Sequence, residues 1–84
     1  MSQKVTVRYF AAARAAAGTE DEILGIAPGT TIGALIADLG ARDAELARVL
    51  SRCSYLCDGI AVRDMGIALC DAQTVDILPP FAGG

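Results

Sequence analysis

The chain has no histidine and no tryptophan in its 84 residues. Without imidazole there is no Ser-His or Cys-His dyad, no His-ligated metal site and no ordinary general base near neutral pH. Long apolar runs are missing too. The longest uncharged stretch, Ile23–Ala37, is broken by Gly25, Pro28, Gly29 and Gly33 and falls short of the ~20 apolar residues a membrane span needs. Positive charge is scarce: 7 Lys and Arg stand against 10 Asp and Glu, for a net charge of −3. That balance disfavours a nucleic-acid partner held by phosphate neutralisation. Cysteines number three, so at least one is unpaired. Cys53 and Cys57 have C-x3-C spacing, with no second pair or histidine to complete a zinc site. Lys4 and Arg8 precede an apolar stretch that Arg14 cuts short, which fails as a secretory signal. The reading is a cytoplasmic chain whose thiols are small, inert hydrophobes, with no membrane, nucleic-acid or metal partner and no cofactor of its own.

What remains is rich in alanine. Sixteen residues are Ala, so the 54% hydrophobic fraction reflects helix formers as much as core formers. At this length one domain is expected, too small for a deep catalytic cleft. Lys4–Phe10 alternates Val5, Val7 and Tyr9 with Thr6, Arg8 and Phe10, the period of a strand. Ala11–Ala17 reads as a short helix closed by Gly18, and Glu22–Ala27 as a second strand followed by a Pro28-Gly29 turn. Thr30 or Thr31 can cap a helix whose Ile32, Leu35, Ile36 and Leu39 share one face, with Gly40 as its expected end. Asp43 can cap a further short helix carrying Leu46, Val49 and Leu50. Ser54–Cys57 and Ile60–Arg63 flank Asp58-Gly59 as a tight hairpin, Ile67–Cys70 reads as a bridge or short strand, and Thr74–Leu78 is the last strand. The first and last strands are the most apolar and so are expected at the centre of a mixed sheet. One main helix packed across that sheet makes an α+β roll.

The chemistry is expected at the end of the sequence, Pro79-Pro80-Phe81-Ala82-Gly83-Gly84. Two prolines remove consecutive backbone donors, so the chain must leave the sheet after Leu78 as a stiff stalk. Six residues can reach roughly 20 Å at ~3.3–3.6 Å each, and two glycines keep the tip narrow enough to thread a channel. The group so presented is the α-carboxylate of Gly84. Residues 1–78 are read as the domain and 79–84 as a protruding tail.

Val5–Gly18 (VTVRYFAAARAAAG), Pro28–Leu39 (PGTTIGALIADL) and Val75–Gly84 (VDILPPFAGG) resemble the small subunit of molybdopterin synthase, within the ubiquitin-like sulfur carriers. Ser51–Asp64 resembles an actinobacterial branch of that family. The resemblance implies a β-grasp fold and a tail that is activated and loaded with sulfur. An ATP- and Mg-dependent activating, sulfurylating enzyme would adenylate Gly84, and sulfur would displace AMP to leave a thiocarboxylate. The larger synthase subunit would take up Gly83, Ala82 and Phe81 with the tip and pass sulfur to a pyranopterin precursor of the molybdenum cofactor. The small subunit supplies no acid or base of its own. By position in the family pattern, Phe10, Val62, Leu78 and Phe81 would form an apolar docking patch. Asp58, Asp64, Asp71 and Asp76 read as a solvated acidic face. Many family members carry a Gly-Asp pair before the last strand, where this chain has Asp71-Ala72-Gln73-Thr74. The same tail also suits a carrier for cysteine or thiamine synthesis, or a protein modifier.

Overall fold

The computed structural model describes residues 3–80. Five strands and three helices follow one another as β1 (Gln3–Tyr9), α1 (Ala11–Ala17), β2 (Asp21–Ile26), α2 (Ile32–Arg42), α3 (Ala44–Leu50), β3 (Ser54–Cys57), β4 (Ile60–Ala61) and β5 (Thr74–Leu78). The strands form one mixed sheet in the order β2-β1-β5-β3-β4. Only β1 and β5 run parallel, and they sit side by side within it, as their apolar composition predicts.

Alternation along β1 buries Val5, Val7 and Tyr9 on one side. These join Val75 and Ile77 of β5, Ala13 of α1, Ile32, Leu35 and Leu39 of α2, and Leu46 and Leu50 of α3 in a single core. The three helices therefore cover one face of the sheet, and among the described residues no layer covers the other.

Local signals set most boundaries. Gly18 ends α1 at φ 78° and donates to the Arg14 carbonyl at 2.9 Å. Thr31, rather than Thr30, caps α2 by accepting from the Ala34 N–H at 3.1 Å. Asp43 caps α3 through the Glu45 N–H. The Asp58-Gly59 turn places both residues at positive φ (49° and 82°), which turns the hairpin in the sense that matches strand twist. Ala68 bridges to Thr31, the isolated pairing expected near Ile67–Cys70.

Gly40 does not end α2; the helix runs on to Arg42. Here α2 crosses α3 closely, and a Cβ on Gly40 would lie 3.3 Å from the Ala47 Cβ. The residue is a contact point between helices. A mid-helix glycine costs only about 1 kcal/mol, which this packing offsets. The second hairpin strand is also shorter than expected, ending at Ala61 rather than Arg63.

Candidate functional site

The last strand delivers the chain to one edge of the molecule. Its ladder with β3 stops at the Ser54–Leu78 pair, and Pro79 and Pro80, which have no N–H, follow without regular structure. Phe81, Ala82, Gly83 and Gly84 lie outside the described residues. What the structure defines is the platform from which that segment departs.

Phe10 marks the corner beside it. The chain leaves β1 through Ala11, a non-glycine residue at φ 49° that opens α1. This sharp exit holds the Phe10 N–H on the Ile77 carbonyl at 3.2 Å and leaves the Phe10 ring 38% exposed. The Arg8 guanidinium lies over that ring, 5.6 Å from its centroid. Arg8 also grips Asp76 of β5 with two bonds, Nε to Oδ1 at 2.6 Å and Nη2 to Oδ2 at 2.9 Å. The Asp76 side chain is 8% exposed and that of Arg8 50%.

Register shows which residues share this uncovered face, because cross-strand partners point the same way. Arg8 stands opposite Asp76, Asp76 opposite Leu56, and Leu56 opposite Ala61. Leu78, half-buried, lies two residues beyond Asp76 on the same side, and Ile23 lies opposite Thr6 at the far edge. Phe10 and Leu78 are thus brought together around the tail root. Val62 is not. It lies on the helix side, in a concavity of about 210 Å³ with Ile32, Cys57 and Ile67. The register also brings Leu56 and Ala61 to this face, neither of which the sequence reading named, although the two-residue turn at Asp58-Gly59 fixes the register that pairs them.

The acidic residues near the tail are not one solvated face. Asp76 is buried against Arg8. Asp58 accepts from the Thr74 N–H at 2.9 Å, Asp71 from the Lys4 N–H at 2.8 Å and Asp64 from the Gly66 N–H at 2.8 Å. Each is tied into a turn or strand end. Asp58 and Asp71 flank Ala72, which adopts φ 68°, so the turn before β5 keeps a left-handed residue without a glycine there.

Other groups offer no obvious catalysis. Burial raises the Cys53 thiol, and burial with Asp58 and Cys70 nearby raises that of Cys57, so both favour the unreactive protonated form. Cys53 donates to the Val49 carbonyl. Burial, with Glu22 beside it, pushes the Tyr9 phenol up to about 12, and burial does the same to Tyr55. A concavity of about 450 Å³ lies between α2, α3 and β3 and is lined by Ile36, Leu50, Cys53 and Tyr55 among others, without an acid–base pair. Among the described residues no group of three or more Cys, Asp and Glu could hold a metal ion, and no helix is long and apolar enough to cross a membrane.

Comparison with known proteins narrows what such a platform belongs to. No curated protein matches the chain significantly. The solution structure of the Haloferax volcanii HVO 2177 protein is 28% identical, with a TM-score of 0.86, covering 99% of this chain and 88% of its own. A Pyrococcus furiosus protein described as molybdopterin converting factor subunit 1 is 25% identical at a TM-score of 0.85, covering 94% and 99%. Small archaeal modifier protein 1 from Methanosarcina acetivorans is 25% identical at 0.82, covering 100% and 99%. The sheet order and these neighbours define a ubiquitin-like β-grasp fold. The ThiS family model matches residues 7–84, from the middle of β1 through both terminal glycines. The chain therefore belongs to the ThiS family of ubiquitin-like sulfur carriers.

Proposed function

We propose that this chain is the sulfur-donating small subunit of a molybdopterin synthase. The observation that carries the reading is the family match running through Gly84, on a chain whose last strand is followed at once by Pro79-Pro80. The 25% identity to a protein described as molybdopterin converting factor subunit 1, over nearly the whole of both chains, supports this branch of the family.

Chemically, a carboxylate resists attack by sulfur because its charge is delocalised and its leaving group would be oxide. A separate activating enzyme, using ATP and Mg, would join the Gly84 carboxylate oxygen to the α-phosphorus and release pyrophosphate. Sulfide-level sulfur then adds to the acyl carbon and AMP departs, leaving a thiocarboxylate. Within the large synthase subunit that sulfur attacks a carbon of the pyranopterin precursor, and water then cleaves the acyl–sulfur bond, leaving the sulfur on the pterin and returning the Gly84 carboxylate. Phe81, Ala82 and Gly83 line the threaded segment, while Phe10 and Leu78 hold the carrier at the mouth of the partner's site. Val62, on the other side of the sheet, is not assigned to that contact. The acid and base chemistry belongs to the partners, and the work takes place in the cytoplasm.

The test is the intact mass of the chain after incubation with ATP, a sulfur source and the activating enzyme. Exchange of one oxygen for one sulfur at Gly84 is expected. Adding one residue after Gly84 should abolish both this exchange and molybdopterin formation while leaving the fold intact. An extended chain that still supports molybdopterin synthesis would sink the reading. The 25% identity to an archaeal modifier favours a second one, in which the activated Gly84 acylates lysines of other proteins. Conjugates that survive denaturation, with no sulfur-loaded form, would establish it instead.

A further inference from the structure

We infer that Arg8 is the specificity element of the uncovered sheet face, and that the large subunit docking there presents a carboxylate to it. The inference rests on the functional reading above for its partner. It begins with an asymmetry within one ion pair. Asp76 is almost wholly buried, whereas the Arg8 side chain is half exposed, so a partner meets the positive member and not the negative one.

Arg8 is also held ready. Nε and Nη2 bond Asp76, and the plane lies over Phe10, which leaves Nη1 without a hydrogen bond among the described residues. A guanidinium fixed from behind loses little side-chain freedom when it gains another bond, so its preference for a planar anion is expressed in full. Asp21 stands opposite Arg8 on β2 yet makes no bond to it. Away from Asp21 the surroundings are apolar, with Phe10 and Leu78 toward the end of β5, and Leu56 and Ala61 across that strand. A cation framed by apolar side chains rejects an uncharged apolar partner, which would bury Nη1 unpaired, and accepts one carrying an Asp or Glu at its centre. Lys4 lies on the same face and adds positive potential without fixed geometry.

The test is calorimetric titration of the purified large subunit encoded in the same genome, at low and high salt. Arg8→Met should weaken binding about 10–100-fold, the range for hydrogen bonds to charged groups, and flatten the salt dependence. Arg8→Lys should recover only part, because an ammonium lacks the fork. Since Arg8→Met strands Asp76, the Arg8→Leu/Asp76→Leu double variant supplies a folded reference, the buried carboxylate and the half-exposed cation over it both being replaced by hydrophobes. It should bind as weakly as Arg8→Met. Wild-type affinity in a folded double variant would make the pair purely structural and overturn the inference alone. If the unaltered chain does not bind the large subunit, the functional reading falls together with it.

Discussion

The two faces of the sheet come from the same strands, offset by a single residue. Toward the helices, β1 presents Val5, Val7 and Tyr9, all at most 2% exposed. Toward the other side it presents Lys4, Thr6 and Arg8, followed by Phe10. Strand β5 breaks the symmetry, since Val75, Asp76 and Ile77 are all buried although only the outer two face the helices. The buried residue on the uncovered side is a carboxylate, and a long cation from the next strand covers it. One face is thus closed by close packing, which tolerates little change in shape. The other is closed by a charge-assisted fork that keeps a cation and an aromatic edge available. The sheet is thus divided into a core that is complete in itself and a face whose cation stays half exposed.

The comparison can be broken most severely on the helix side. Ile77→Ala or Leu39→Ala should cost about 2–5 kcal/mol by urea unfolding, because the sheet–helix interface cannot collapse around the void. Leu78→Ala, on the uncovered face, should cost well under half of that. Equal losses would mean that the two faces are not distinct in energy. Next comes Gly40→Leu, expected to cost about 1–3 kcal/mol by pushing α2 from α3 at Ala47 while leaving the uncovered face unaltered in its amide spectrum. A smaller effect of opposite sign is expected at Ala72. Replacing it by Gly relieves the left-handed backbone at φ 68° and should stabilise the fold by about 0.5–1 kcal/mol in thermal melts.

Alkaline pH sharpens the contrast further, because both tyrosines lie on the core side. Tyr9 and Tyr55 stay protonated in the folded chain to about pH 12, whereas unfolded phenols ionise near pH 10. Above pH ~10 the unfolded state therefore binds fewer protons than the folded one. Stability should hold steady below that point and decline as pH rises toward 12. Tyr9→Phe should make this decline shallower in urea midpoints measured across the range, and an unchanged slope would show that Tyr9 is not desolvated. The substitution also removes the Tyr9 hydroxyl's 3.3 Å bond to Glu22, which Arg42 holds from the other side.

Much of this was legible in the sequence because it depends on neighbours along the chain. The alternation in Lys4–Phe10, the caps at Thr31 and Asp43, the Gly18 stop and the Asp58-Gly59 hairpin each follow from a few adjacent residues whose propensities agree. The Pro-Pro exit after Leu78 is equally local. The structure sets Phe10 and Leu78 on the uncovered side of the sheet and Val62 on the helix side, and the hairpin register adds Leu56 and Ala61 to the first group. Period two turns a slip of one residue into the opposite face of the sheet.

The sequence by itself determined which elements form, most of their bounds and the end of β5 at Leu78 before Pro79-Pro80. Only the tertiary structure decided that Asp76 is buried beneath Arg8, that Gly40 is a helix contact and not a stop, and that Leu56 and Ala61 share a face with Phe10. Those facts depend on how separate strands and helices pack against one another, from Gly40 against Ala47 of the next helix to Arg8 against Asp76 at the other end of the chain. A residue's own neighbours encode its backbone conformation, whereas its solvation is fixed by remote partners that local propensity does not specify.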